Sequence, residues 1–158
     1  MRAPLTRAVF DCNVFLQALL SSRGPAFGCV ELARANAVQV FASPYVLEEL
    51  RRTPHHPDLK RFTHLSIEKV ELFIADLLPH MQIITNVPEV FTGCRDAKDN
   101  HYINLAIATD SKIVVSRDND LRDLTDPSKP EARTFRSRYP HIRILEPGAF
   151  LKEVALSD

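Results

Sequence analysis

The chain has 158 residues, of which 45% are hydrophobic and 25% charged, with Lys plus Arg and Asp plus Glu balanced at 20 each. That length suits one domain spanning 1–158 with a sizeable core, and the zero formal charge excludes a global field that gathers nucleic acid. Any nucleic-acid contact must then come from local basic patches or bound metal.

The predicted elements alternate between strand and helix, which points to an α/β fold with a central parallel sheet and helices on both faces. Residues 9–10 form a short buried strand and 14–20 a helix. Pro25 fits the first turn of a second helix over 25–36, where its missing N–H is harmless. A strand over 38–42 leads to Ser43 as N-cap and Pro44 at the first helical position, opening a helix through Arg52. Residues 53–63 read as a polar loop, 66–78 as a helix stopped by Pro79, and 82–85 as a third strand. After an irregular connection over 86–95, residues 97–109 form a helix apolar on nearly every side, hence central. Residues 113–115 are a continuous apolar strand of parallel-sheet type, 126–140 a Pro-, Arg- and Ser-rich surface loop, 142–145 a last strand and 147–155 a closing helix.

Cys12, Cys29 and Cys94 are widely spaced and form no Cys-x-x-Cys pair, so neither structural zinc nor a disulfide framework is expected, and a cytoplasmic protein with reduced thiols is. The segment 10–20 is interrupted by Asp11, Asn13 and Gln17, which argues against a signal peptide or a membrane span.

Four acids fall at comparable junctions: Asp11, Glu49, Asp99 and Asp118. Each alone has a plain structural role. Asp11 or Asn13 suits a helix cap, Glu49 an exposed helix charge, Asp99 a first helical turn, and Asp118 a turn beside Asn119 and Asp120. Jointly they say more. Asp11 and Asp118 directly follow short apolar strands, at the carboxyl edge where open α/β sheets bind ligands. Asp99 opens the buried helix, and Glu49 lies one and a half turns into the helix after the second strand. Gathered carboxylates repel, so such a cluster calls for a divalent cation, and an oxygen-only donor set suits Mg²⁺ or Mn²⁺ better than zinc.

Other chemistries find no support. The only glycines are Gly24, Gly28, Gly93 and Gly148, so no phosphate-binding glycine loop exists. Cys12 has no arginine five residues on, and no serine sits in a glycine-flanked strand-to-helix elbow.

The ordered motifs Val-Phe-Asp-Cys-Asn-Val-Phe, Ser-Pro-Tyr-Val-Leu-Glu-Glu-Leu, Cys-Arg-Asp-Ala-Lys-Asp-Asn-His and Val-Val-Ser-Arg-Asp-Asn-Asp-Leu resemble those of the PIN-domain nucleases. The closing Ile-Arg-Ile-Leu-Glu-Pro-Gly-Ala-Phe-Leu resembles the end of the VapC-like prokaryotic branch, the toxins of toxin–antitoxin systems. The similarity runs from Arg7 to about Leu151, and its specificity lies in the ordered set of five.

The resemblance implies a three-layer α/β/α sandwich and a Mg²⁺- or Mn²⁺-dependent ribonuclease centre. It carries the catalytic acids onto Asp11, Glu49, Asp99 and Asp118, with Glu48 as the alternative register for Glu49. Asp11, Asp99 and Asp118 become metal ligands, Asn13 and Ser116 hold carboxylate geometry, and Asp120 helps through a second metal. Cys12 stands where Thr or Ser is commoner and is expected to tune the site. The implied partners are an RNA substrate, a cognate antitoxin and a second copy of the chain.

Two basic stretches are candidates for tracking a phosphate backbone: one with Arg51, Arg52, His55, His56, Lys60 and Arg61, the other with Arg133, Arg136, Arg138, His141 and Arg143. The plain alternative for both is a solvated loop face. Tyr45, Tyr102 and Tyr139 are candidates for base stacking, against core or rim packing. Two rival functions remain at this stage: a PIN-fold binding or oligomerisation module without activity, and a haloacid-dehalogenase-like phosphatase. The phosphatase wants a second Asp two residues after the first, where this chain has Asn13.

Overall fold

The computed structural model describes residues 4–62 and 65–157. Thr63, the end of the expected loop, lies outside the described residues, as do Asp158 and the first three residues of the N-terminal segment. The middle layer is a sheet of β1 (Thr6–Phe10), β2 (Val38–Ala42), β3 (Met81–Ile83), β4 (Ile113–Val115) and β5 (Arg143–Leu145). Its order is β3-β2-β1-β4-β5, and every pairing is parallel. Helices flank it to give the expected three-layer α/β/α sandwich. Val9, Phe10, Val40, Val114 and Val115 are fully buried, because strands covered on both faces have no polar side to show.

The helices are α1 (Cys12–Leu20), α2 (Pro25–Arg34), α3 (Pro44–Arg52), α4 (Ile67–Leu77), α5 (Asn100–Thr109), α6 (Asn119–Arg122), α7 (Pro130–Arg138) and α8 (Pro147–Ser157). Ser43 caps α3 through its side chain, with Pro44 in the first turn, as its sequence signature requires. Ser66 caps α4 in the same way. Pro79 does not stop the chain at once but sits in a 3₁₀ turn, Leu78–His80, whose shorter repeat tolerates it.

Several boundaries differ from expectation. The first strand begins at Thr6, since pairing with β2 continues from Thr6 opposite Val38, beyond the apolar residues. The third strand is shifted to Met81–Ile83. The expected loop over 53–63 contains 3₁₀ turns at Thr53–His55 and Pro57–Leu59. The largest departure is 126–140, expected as a surface loop, where α7 forms. Pro130 opens it, while Ala132 and Phe135, three residues apart, are buried. Phe135 meets Phe91 edge-on, ring centroids 5.4 Å apart, a partner distant in sequence that no local pattern discloses.

The crevice falls at the carboxyl edge between β1 and β4, where the chain order reverses. The tips are tied there: Asp11 N–H donates to Val115 O at 3.1 Å, and Ser116 N–H to Leu145 O at 2.9 Å. Helix α5 packs against β1, β2 and β4 and pins the irregular connection before it. Asn104 Oδ1 accepts from the N–H groups of Val90 (3.0 Å) and Phe91 (2.7 Å), and Asn100 Oδ1 accepts from Cys94 at 2.8 Å. These buried amides supply the partners that an irregular backbone lacks.

Candidate active site

Each acid reaches the crevice through a different local device. Asp11 follows β1 and becomes the N-cap of α1, Oδ1 accepting from Val14 N–H at 3.1 Å. Its Oδ2 accepts from the Ser116 hydroxyl, whose oxygen in turn accepts from Asp118 N–H at 2.9 Å. Asp118 caps α6 by accepting from Asp120 N–H at 2.9 Å. Asp99 ends a 3₁₀ turn, Ala97–Asp99, immediately before α5. Glu49 lines the groove from α3, whereas Glu48 is exposed and paired with Arg51 at 2.9 Å.

Asp11, Glu49, Asp96, Asp99 and Asp118 all line one groove of about 680 Å³, as does Asn13. Among the described residues, one carboxylate oxygen from each of Asp96, Asp99 and Asp120 lies within 4.8 Å of the others; Asp99 and Asp120 were expected at the site, and Asp96 was not. Asp96 lies in the Cys-Arg-Asp-Ala-Lys-Asp-Asn-His motif, and as the cap of the 3₁₀ turn it is carried beside Asp99. Asp120 is already engaged, with Arg95 Nε 3.1 Å from its Oδ1. The same guanidinium reaches Asp123 at 2.5 Å.

The electrostatics follow from burial and crowding. Burial raises Asp11 from 3.8 to about 6, opposed by the Ser116 and Val14 hydrogen bonds. Asp99 rises from 3.8 to about 7, first through desolvation and then through repulsion by Asp118, Asp96, Asp120 and Asp11. Glu49 is also raised, chiefly by burial, although the hydroxyls of Tyr45 and Tyr102 favour its charged form. Among the described residues, Glu49 Oε1 and Asp99 Oδ2 are buried without a hydrogen-bond partner. Buried carboxylate oxygens left unpaired are costly, and a bound cation is one partner that could satisfy such oxygens. The donor set is all oxygen, as Mg²⁺ or Mn²⁺ requires.

Tyr102 carries a role that sequence reasoning gave to packing. It is 2% exposed, and its hydroxyl accepts from Cys12 N–H at 3.0 Å while acting on Glu49, so α5 joins the tip of β1 to α3. A tyrosine on the inner face of an apolar helix gives no signal of this until its hydroxyl is located. Burial disfavours the thiolate form of each cysteine, pushing Cys29 and Cys94 up to about 12 and raising Cys12 as well.

The basic candidates separate. Arg52 lines the acidic groove, together with His56, Lys98 and Arg117. Arg51 is instead held between Glu48 and Glu71, at 2.9 and 2.8 Å. Arg133 and Arg136 line a second groove, of about 630 Å³, with Lys129. Arg143 is paired with Glu153.

Removing the Ser116 hydroxyl tests the wiring of this edge. Ser116→Ala leaves Asp11 Oδ2 without its donor, costing about 1–3 kcal/mol. Because that bond favours the charged carboxylate, the loss in urea melts should be larger near pH 8 than near pH 5. Equal losses at both would mean the hydroxyl acts through packing alone.

The family model described as PIN domain matches residues 7–120, from β1 through the acids of the site. An uncharacterized protein of Methanocaldococcus jannaschii is 28% identical over 147 residues, covering 93% of this chain and 90% of its own. Among solved structures, VapBC2 from Rickettsia felis, bound to a DNA fragment from its promoter, aligns with a TM-score of 0.52 at 14% identity. That alignment covers 89% of this chain and 98% of the other, and at such identity the likeness is one of fold. With the matched segment holding Asp11, Glu49, Asp96, Asp99, Asp118 and Asp120, the chain belongs to the PIN domain family.

Proposed function

We propose that the chain is a Mg²⁺- or Mn²⁺-dependent endoribonuclease. The observation that carries this reading is the groove of convergent carboxylates in which Glu49 Oε1 and Asp99 Oδ2 are buried without partners. Asp11, Asp99 and Asp118 would hold the ion, with Asp96 beside them. When bound, it neutralises the cluster, lowers the pKa of water and steadies charge on the scissile phosphate.

The chain's own residues do the rest. Glu49 Oε1 orients the attacking water and accepts its proton, a role suited to a carboxylate whose affinity for protons burial has raised. The water oxygen bonds to phosphorus as the P–O3′ bond breaks and the departing O3′ takes a proton from solvent, leaving a 5′-phosphate and a 3′-hydroxyl. Ser116 keeps Asp11 and Asp118 in register, and Asn13 lies at the groove wall. Arg52, Lys98 and Arg117 offer charge to flanking phosphates; Arg133 and Arg136 offer it at the second groove, whereas Arg51 must first leave its two glutamates.

The biological role we propose is that of the toxin of a cytoplasmic toxin–antitoxin pair, with an antitoxin partner and a homodimeric state. The fold likeness to VapBC2 supports it, as does the closing motif at α8. No helix among the described residues is long and apolar enough to cross a membrane.

The test is cleavage of single-stranded RNA with Mn²⁺ and with EDTA, with end analysis of the products, alongside thermal melts. Mn²⁺ should raise the melting temperature and EDTA should stop cleavage. The inactive-module reading draws on Arg95, whose guanidinium already occupies Asp120. Absence of both Mn²⁺ stabilisation and cleavage would favour that module.

A further inference from the structure

We propose that Tyr45 is a stacking platform for an unpaired nucleobase next to the scissile phosphate, so that the groove selects single-stranded over duplex RNA. This rests on the nuclease reading for the position of the phosphate. Tyr45 is the second residue of α3, four before Glu49, so both side chains share one helix face and one groove. Tyr45 is 38% exposed, while the apolar residues that follow it, Val46, Leu47 and Leu50, are buried. It therefore lies off the core stripe of its helix.

The ring is nonetheless fixed. It lies on the His101 imidazole, centroids 4.4 Å apart and planes tilted by 38°. His101 is held in turn by the Ser43 hydroxyl and by the edge of Tyr102, centroids 6.2 Å apart. The Tyr45 hydroxyl donates to the Lys98 carbonyl at 3.4 Å and acts on Glu49, polar contacts at the ring's tip that leave its face to the groove. An aromatic ring braced behind and open to a groove, with Arg52 and Lys98 lining the same groove, is the combination that binds single strands: cations for the backbone, a π-face for a base. The other two tyrosines lack it, since Tyr102 is buried and Tyr139 packs against Phe91 and Phe135.

The chain has no tryptophan, so Tyr45→Trp installs a single fluorescent reporter at the platform. In EDTA, a single-stranded RNA oligomer should quench its emission, and the same sequence as a duplex should not. With Mn²⁺, Tyr45→Leu should raise KM about 10-fold or more relative to Tyr45→Phe, which shares its loss of the hydroxyl facing Glu49 but keeps the ring, and Tyr45→Trp should restore KM. Equal rises for Tyr45→Phe and Tyr45→Leu would assign the effect to the hydroxyl and overturn the proposal. So would unchanged KM in Tyr45→Leu while the parent cleaves, an outcome that leaves the nuclease reading standing. Selective quenching in a protein whose parent form never cleaves would uphold the platform and defeat the nuclease reading.

Discussion

Asp11→Asn is expected to lower Mn²⁺-dependent cleavage by about 10³-fold or more without unfolding the protein. The reason lies in the two jobs Asp11 performs. As N-cap it needs one acceptor oxygen toward Val14 N–H, which asparagine supplies as well as aspartate. As the most buried acid of the groove, 3% exposed, it contributes negative charge, which asparagine does not. The Asn amide can donate to the Ser116 oxygen, while the Ser116 hydroxyl loses the acceptor it had in Asp11 Oδ2. Without metal the variant should be more stable than the parent near pH 8, by about 1–3 kcal/mol, because it no longer buries a carboxylate. Retained cleavage, measured on the same preparation whose stability rose, would remove Asp11 from the mechanism.

The second large effect is on pH dependence. Asp11, at about 6, and Asp99, at about 7, hold their protons more tightly in the folded protein than at the ordinary 3.8. The folded state therefore binds more protons than the unfolded state between about pH 4 and pH 7. Unfolding free energy falls as pH rises through that window. For Asp11 the full loss is on the order of 2–3 kcal/mol. Half-buried Asp99 adds less than its pKa suggests, because water screens it. Mn²⁺ opposes the loss, since it binds only the deprotonated acids. Its stabilising effect in thermal melts should be small near pH 5 and full by about pH 8. Comparison with Asp11→Asn isolates one carboxyl from the others. A parent and variant with identical pH profiles, or Mn²⁺ stabilisation equal at both pH values, would contradict this account.

Much of the architecture was legible before any coordinates. The apolar run ending at Phe10, the Ser43-Pro44 start of α3 and the continuous Ile113–Val115 strand each carry a local cause that tertiary context did not override. Helix α7 was not legible, because its burial is satisfied by Phe91, more than forty residues away. Which of Glu48 and Glu49 faces the groove was likewise undecidable from adjacency. It required knowing that α4 supplies Glu71, which with Glu48 holds Arg51 on the outer side.

By itself the sequence determined which residues carry charge and the starts of elements with a local signature, such as α2 at Pro25 and α3 after Ser43, since caps and prolines act over a few residues. Only the tertiary structure decided which acids meet. Asp96 joins Asp99 and Asp120 because a 3₁₀ turn and a helix cap converge there, and Tyr102 reaches Cys12 across ninety positions. The physical reason is range. Hydrogen-bonded caps are fixed by neighbours along the chain, whereas repulsion among carboxylates and the burial that raises their pKa depend on distances in space alone.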